Sequence, residues 1–346
     1  EIMKNMNINI EKQGSLDISS KADMFDKFFL KSKSPAFNKC LSDCEKVAKS
    51  SVNVLLVGES GTGKDVAANY IHLCSSRCDK NMVAVNCSSY TESLLESELF
   101  GYNEGAFTGA TKSKEGKIEL SDKGTLFLDE IGDSSPVTQL KLLRAIETRK
   151  IERIGSNMSR SLDFRLICAT NRDLKEDILN NLFREDFFYR ISSIVIKVPS
   201  LKERKEDLPD MINFFLKKAC SSCNVKINKI EEDVIKFLNE YDYPGNIREL
   251  KHIIERLVVL SENGIITKNE LPVIYDINKN IKSDLTSESE PFDQVITLRE
   301  FKAIQESSYL QWVLNQFGGN VAAAARKLDI TPRQLFNKIN DYSLKK

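Results

Sequence analysis

Residues 54–72 read VLLVGESGTGKDVAANYIH, an apolar run that breaks into a glycine-rich turn and then into a helical pattern. A strand feeding such a turn and a helix is the layout of a phosphate-binding loop. Gly58, Gly61 and Gly63 carry no Cβ, so the backbone through Glu59, Ser60 and Thr62 can curl tightly and aim its N–H groups at one anion. Lys64 supplies a full positive charge for the β- and γ-phosphates. The general motif ends in Ser or Thr, whose hydroxyl holds Mg²⁺, but here that position is Asp65. Metal coordination is therefore expected to be shared differently. A helix-capping glycine turn with an incidental lysine would need neither the strand before it nor the helix after it.

The 346 residues, 41% of them hydrophobic, suffice for two or three packed domains. Lys plus Arg and Asp plus Glu balance at 50 each, so nucleic-acid contact has to come from a local patch and not from the field of the whole molecule. There is no run of eighteen apolar residues and no signal-peptide pattern. A cytoplasmic protein without membrane contact is expected. The chain opens on Glu1, not methionine, and reads as a fragment of a longer protein with a further domain upstream. Cys40/Cys44, Cys74/Cys78 and Cys220/Cys223 are spaced for metal or redox chemistry, but nothing in the sequence brings two pairs together. Reduced, partly buried side chains are the simpler expectation.

Working outward from the loop, residues 34–50 place Phe37, Leu41 and Val47 at helical spacing behind a Ser-Pro start, as for a helix walling an adenine pocket. Residues 82–87, MVAVNC, read as a second buried strand carrying Asn86 to its C-terminal end, the edge where ligands bind in open α/β sheets. A helix over 92–100 precedes a loop in which Gly105 and Gly109 flank an exposed Phe107 and Thr108. Such a loop is better suited to contact than to connection. GTLFLDE then gives a buried strand ending in two carboxylates. Asp129 is placed to hold Mg²⁺ and Glu130 to polarise an attacking water.

ESELFGYNEGAFTGA, GESGTGKD and GTLFLDEI together resemble the central ATPase domain of the sigma-54-dependent bacterial transcription activators, a branch of the AAA+ proteins. The resemblance covers about 34–276 and then the C-terminus. It implies that Gly105, Ala106, Phe107, Thr108, Gly109 and Ala110 form the loop that touches sigma-54 and couples hydrolysis to promoter opening. It also removes the oddity of Asp65, because the family usually carries an acidic residue there. By the same resemblance 139–156 form a helix and a second loop that cooperates with the first. Thr170 and Asn171 end a strand as a γ-phosphate sensor, Arg184 and Arg190 are arginine fingers for a neighbouring subunit's ATP, and Arg248 is the arginine of a closing lid. Six residues along a helix are about 240° apart, so the two fingers need not meet one phosphate.

From Val198 onward helices without strands are expected, over 204–220, 231–241 and 246–260. Asn246 is placed to cap the last, and Leu250, Ile254 and Leu257 form its buried stripe. Residues 276–296 read as a linker. Thr297 and Glu300 form a capping box for a helix to Phe317 that Gly318 and Gly319 stop. A short helix VAAAARKL and a last helix opened by Pro332, with Thr331 and Gln334 as a second capping box, follow. Helix, three-residue turn and helix make a helix-turn-helix, similar to the inversion-stimulation-factor type. Arg333, Gln334 and Asn337 sit where such motifs read bases, with Lys338 beside them for phosphate.

The sequence thus implies an α/β fold: an AAA+ P-loop domain of three α/β/α layers with a small helical lid, followed by an all-α helix-turn-helix domain. The expected divisions are a polar segment 1–31, the nucleotide-binding part 32–198, the lid 199–275, the linker 276–296 and the DNA-binding part 297–346. ATP and Mg²⁺ are the implied cofactors. Sigma-54 RNA polymerase holoenzyme, double-stranded DNA and further copies of the chain, a hexameric ring by resemblance, are the implied partners. A repressor using the ATPase fold only to sense nucleotide would not need Gly105–Ala110, Glu130 and Arg184. A metabolic kinase would not need the C-terminal module.

Overall fold

A computed structural model describes residues 28–271 and, in the C-terminal part, residues 306–342 apart from 308, 312, 315, 316, 318, 319 and 329. The expected linker, the Thr297/Glu300 capping box and the Gly318/Gly319 stop lie outside the described residues. The chain divides at residue 272 into two compact units.

In the first unit the strands run β1 Val54–Val57, β2 Met82–Asn86, β3 Gly101–Tyr102, β4 Lys114–Glu115, β5 Thr125–Asp129, β6 Lys150–Glu152, β7 Ser159–Ser161, β8 Arg165–Thr170 and β9 Ile194–Lys197. Five form one sheet in the order β2-β5-β8-β1-β9, every pair parallel. The central strands are near-continuous apolar runs because both faces are covered. Leu55, Leu126 and Leu128 point into one core with Leu99, Leu142 and Phe187, from the helices Glu92–Phe100, Pro136–Thr148 and Glu185–Ile191. Val54, Leu56 and Phe127 point into the other with Phe37, Cys44, Ala68 and Ile71, from the helices Pro35–Ala48 and Lys64–Leu73. This is the expected three-layer α/β/α arrangement.

Three expectations are corrected. β2 is the edge strand of the sheet and largely half-buried, so it is not a buried strand like β5. The stretch after the helix Pro136–Thr148 is not loop alone: β6 and β7 pair as an antiparallel hairpin. The region beyond Val198 is not purely helical either, since β10 Lys229–Ile230 and β11 Ile265–Ile266 pair in parallel. Its first helix is also divided, into a 3-10 segment Leu201–Asp207 with a non-helical Arg204 and the helix Leu208–Cys223, where Pro209 occupies the first turn. The helices Glu232–Glu240 and Asn246–Leu260 complete this part, and Leu250, Ile254 and Leu257 are fully buried as their spacing requires.

The second unit contains the helices Val321–Lys327 and Pro332–Asp341. Leu310, Val313, Leu314, Ala324, Ala325, Leu335 and Ile339 form its core. The Thr331 hydroxyl accepts from the Gln334 N–H at 3.3 Å, and the Gln334 Oε1 accepts from the Thr331 N–H at 2.9 Å. That is the reciprocal capping box expected from the sequence. No described helix is long and apolar enough to cross a membrane.

Candidate functional site

The phosphate loop leaves the C-terminal end of β1 between β8 and β9, with the Gly58 N–H on the Thr170 carbonyl at 3.3 Å. Gly63 has φ +94° and serves as the cap of the helix Lys64–Leu73, a conformation that a Cβ would strain. Lys64 is buried. Its ammonium donates to the carbonyls of Gly58 at 2.9 Å and Glu59 at 3.2 Å and lies 3.5 Å from the Glu130 carboxylate.

Asp129 and Glu130 stand at the end of β5 as expected. Asp129 is pushed up to about 6 by burial and by the neighbouring Glu130 charge, with Lys64 opposing. Glu130 is left-handed at φ +50°, which costs a non-glycine residue on the order of 1–3 kcal/mol and is characteristic of functional positions. The turn aims the carboxylate back across the sheet edge. One oxygen faces Lys64, and the other accepts the Asn171 N–H at 3.1 Å. Asn171 therefore reaches the site through its backbone, a role its side-chain chemistry did not signal. Thr170 is buried, and its hydroxyl accepts from the Arg172 N–H at 3.1 Å. Asn86 is in register with Asp129, yet its amide oxygen accepts from the Ser88 N–H at 2.9 Å and hydroxyl at 2.7 Å. It caps its own chain here.

A cavity of about 360 Å³ opens beside these groups. Gly61, Thr62, Gly63, Lys64, Asp65, Asp129 and Glu130 line its polar end, and Phe28, Phe37, Leu41, Met211 and Phe215 its apolar end. The helix Pro35–Ala48 thus forms one wall, as expected. Arg248 lines the cavity too; its guanidinium donates to the Ser60 hydroxyl at 2.9 Å and its N–H to the Gly61 carbonyl at 3.3 Å. A cavity with apolar walls, a glycine-rich loop, the Lys64 ammonium and the Asp65, Asp129 and Glu130 carboxylates suits a nucleotide with a polyphosphate tail.

Arg184 and Arg190 do not line this cavity. Arg184 precedes the helix Glu185–Ile191 with φ −80° and ψ 131°, so the 240° argument fails: the two residues are not six apart on one helix. Its N–H donates to the buried Gln139 at 2.8 Å, and its guanidinium pairs with Asp186 at 2.7 Å. Arg190 is exposed near the end of the helix.

Gly105–Ala110 form a compact tip. The Gly105 N–H donates to the Ala110 carbonyl at 2.9 Å, and the Ala110 N–H to Phe107 at 3.0 Å. Phe107 is 46% exposed and edges onto Tyr102, centroids 4.9 Å apart. Thr108 is exposed and Ala110 buried. The second loop touches the first, since the Asn103 N–H donates to the Ile154 carbonyl at 3.0 Å. Beneath both, Arg153 grips Glu119 at 2.6 Å and 2.7 Å, which holds the Glu119 carboxyl below its usual range. The sequence does not disclose this pair although Arg153 lies within 139–156, because nothing local names its partner.

Asn246 is the other departure. It does not cap its helix; at φ +54° its side chain turns away to the phosphate loop. In the second unit Arg333, Gln334 and Asn337 are exposed on one helix. Lys338 forms an ion pair with Glu306, whose other oxygen accepts from the Tyr342 hydroxyl at 2.7 Å.

The chain matches three family profiles: "Sigma-54 interaction domain" over residues 30–197, "AAA+ ATPase lid domain" over 202–288 and "Bacterial regulatory protein, Fis family" over 303–342. The transcriptional regulatory protein ZraR of Salmonella typhimurium is 43% identical over 89% of this chain and 67% of its own length. The Nif-specific regulatory protein of Klebsiella pneumoniae is 39% identical over 89% of this chain and 57% of its own. Among solved structures, NtrX of Brucella abortus in complex with ADP aligns with a TM-score of 0.67 at 31% identity, covering 90% of this chain and 68% of that one. The same protein in complex with ATP aligns with a TM-score of 0.68 at 30% identity, covering 93% and 71%.

Proposed function

The chain belongs to the sigma-54-dependent bacterial transcriptional regulators, and from that premise we propose that it is an ATP-driven activator that opens promoters held by sigma-54 RNA polymerase holoenzyme. The observation that carries this reading is the meeting of Lys64, Glu130 and the Asn171 N–H at the mouth of the phosphate loop, in a chain that also presents an intact Gly105–Ala110 tip. The nucleotide complexes of NtrX, which share the fold, support ATP as the ligand.

In this reading the loop N–H groups and Lys64 hold the β- and γ-phosphates, and Phe37, Leu41 and Phe215 enclose the base. Glu130 takes a proton from the water that attacks the γ-phosphorus, and the Asn171 N–H keeps its carboxylate in place. Arg248 closes the lid over the phosphates. The half-buried Arg184 and exposed Arg190, both absent from this chain's own cavity, suit arginines that serve a neighbouring copy in a hexameric ring. The site fits Mg²⁺: Asp65, Asp129 and Glu130 line the same cavity as Lys64, and Asp129 is raised by burial first and then by the neighbouring Glu130 charge. Mg²⁺ commonly takes one or two carboxylates plus substrate phosphates, so Asp129 would hold it without a wholly protein cage. When bound, the ion would neutralise charge on the phosphates.

Movement of the 105–110 tip by this cycle would press Phe107 and Thr108 on sigma-54, while Arg333, Gln334 and Asn337 hold upstream DNA. The test is open-complex formation on a sigma-54 promoter with an upstream site, using the purified chain and holoenzyme. Opening with ATP but not with a non-hydrolysable analogue is expected. Equal opening with both would remove hydrolysis from the mechanism.

A further inference from the structure

Asn246 is 1% exposed and bridges three segments that are distant in sequence. Its Oδ1 accepts the Leu201 N–H at 2.7 Å, and its Nδ2 donates to the Glu59 carboxylate at 2.9 Å and the Ser60 carbonyl at 3.1 Å. The amide orientation follows from these partners, since an N–H faces the oxygen and two acceptors face the nitrogen. The lid also presses directly on the phosphate loop. A Cβ at Gly61 would lie 2.3 Å from the Gly245 carbonyl oxygen.

Leu201 opens the 3-10 segment that ends at Asp207. Within it the Arg204 guanidinium lies over the Phe37 ring, 3.6 Å from the centroid, and pairs with Asp207 at 2.8 Å. Asp207 in turn accepts from the Ser32 hydroxyl and the Lys33 N–H, both at 2.6 Å. Phe37, Arg204 and Gly61 all line the cavity. One amide therefore joins the segment that walls the base to the loop that wraps the phosphates.

We propose that Asn246 is a positioning residue for the nucleotide: it fixes the curl of Glu59–Ser60 relative to the lid, so that the loop N–H groups are aimed before the phosphates arrive. This rests on the nucleotide-binding reading above. Preorganisation of this kind sets affinity more than the chemical step. Asn246→Ala should raise the KM for ATP about tenfold and leave kcat within twofold, with a matching loss of ADP affinity. Asn246→Asp keeps an acceptor for Leu201 but sets a second carboxylate against Glu59, and it should raise KM at least as much. Adding Glu59→Gln supplies a donor for that carboxylate and should recover threefold or more of the lost affinity.

A residue that merely holds the lid together would lower the melting temperature in every variant without rescue by Glu59→Gln. The experiment measures ATP turnover, ADP binding and melting temperature for the wild type, Asn246→Ala, Asn246→Asp and the Asp/Gln pair. A wild-type chain that neither binds nor hydrolyses ATP overturns the nucleotide reading itself. A wild type that does, with Asn246→Ala within twofold of its KM, overturns the positioning role alone. Should Asn246→Ala fail to fold, equal KM values for Asn246→Asp and the Asp/Gln pair overturn it as well.

Discussion

At Gly61 an added Cβ would lie 2.3 Å from the Gly245 carbonyl oxygen, whereas at Gly105 and Gly109 it would meet nothing within 4 Å, although all three have positive φ. In the phosphate loop, other chain segments close on Gly58 and Gly61. The 105–110 tip is glycine-rich only because its backbone curls, and the space around it stays open. Side-chain hydrogen bonds pin the first region: Lys64 to two carbonyls, Glu130 to the Asn171 N–H and Asn246 to Glu59. The second has short turn hydrogen bonds and one aromatic edge. A closed loop suits chemistry that needs fixed groups, and an open one suits a contact made with another molecule.

The sharpest way to break this contrast is to damage chemistry without damaging shape. Glu130→Gln keeps an acceptor for the Asn171 N–H but cannot take a proton from water. Its kcat for ATP should fall about 10²–10³-fold with nucleotide binding largely kept. Turnover within tenfold of the wild type would place the base elsewhere and leave the closed region with a binding role only.

Thr108→Ala makes the converse test. The hydroxyl is exposed, and the hydrolysis groups lie in the other region, so the ATPase rate should stay within twofold. Promoter opening should fall about tenfold or more, the scale of losing a contact of about 1–3 kcal/mol at an interface. Measured side by side, parallel loss of both activities would make the tip part of the ATP site and erase the distinction between the regions.

The two regions also differ in how much of them the sequence could disclose. The phosphate loop, β5 and its carboxylates are contiguous motifs whose geometry follows from local backbone rules, and they fall where their spacing puts them. The capping box at Thr331 is legible for the same reason. Contacts between distant segments are not. Nothing near Asn246 marks it as a partner of Glu59, and a helix start normally wants its Asn as a cap. β2 is as apolar as a central strand, and only the strand order sends it to the edge. Arg184 leaves the helical register because its N–H bonds to Gln139, 45 residues earlier in the chain.

A pair of alanines sharpens the comparison at smaller scale. Gly105→Ala should cost about 1 kcal/mol, the penalty of a left-handed residue with room to sit. Gly61→Ala adds backbone overlap to that penalty, and it should cost at least twice as much and weaken ATP binding as well. Denaturant midpoints for the two variants, with nucleotide titrations, decide it. Equal costs would mean that the lid does not close on the loop in solution.

A last effect separates charge from shape in the closed region. Burial raises Asp129 to about 6 from an ordinary 3.8, so between those values the folded chain holds a proton that the unfolded chain has released. Stability therefore declines as pH rises through that window, and the full penalty is present above about pH 6. An amide at this position carries no such penalty. Asp129→Asn should stabilise the protein, free of nucleotide and metal, by about 1–3 kcal/mol at pH 7.5, the lower part of that range allowing for solvent at a partly buried site. The gain should shrink as pH falls and nearly vanish by pH 4. Paired urea midpoints across pH 4–8 measure it. A gain independent of pH would trace the stabilisation to packing. No gain at all would mean that Asp129 already has a compensating cation, and the electrostatic argument for a metal at this carboxylate would then fall.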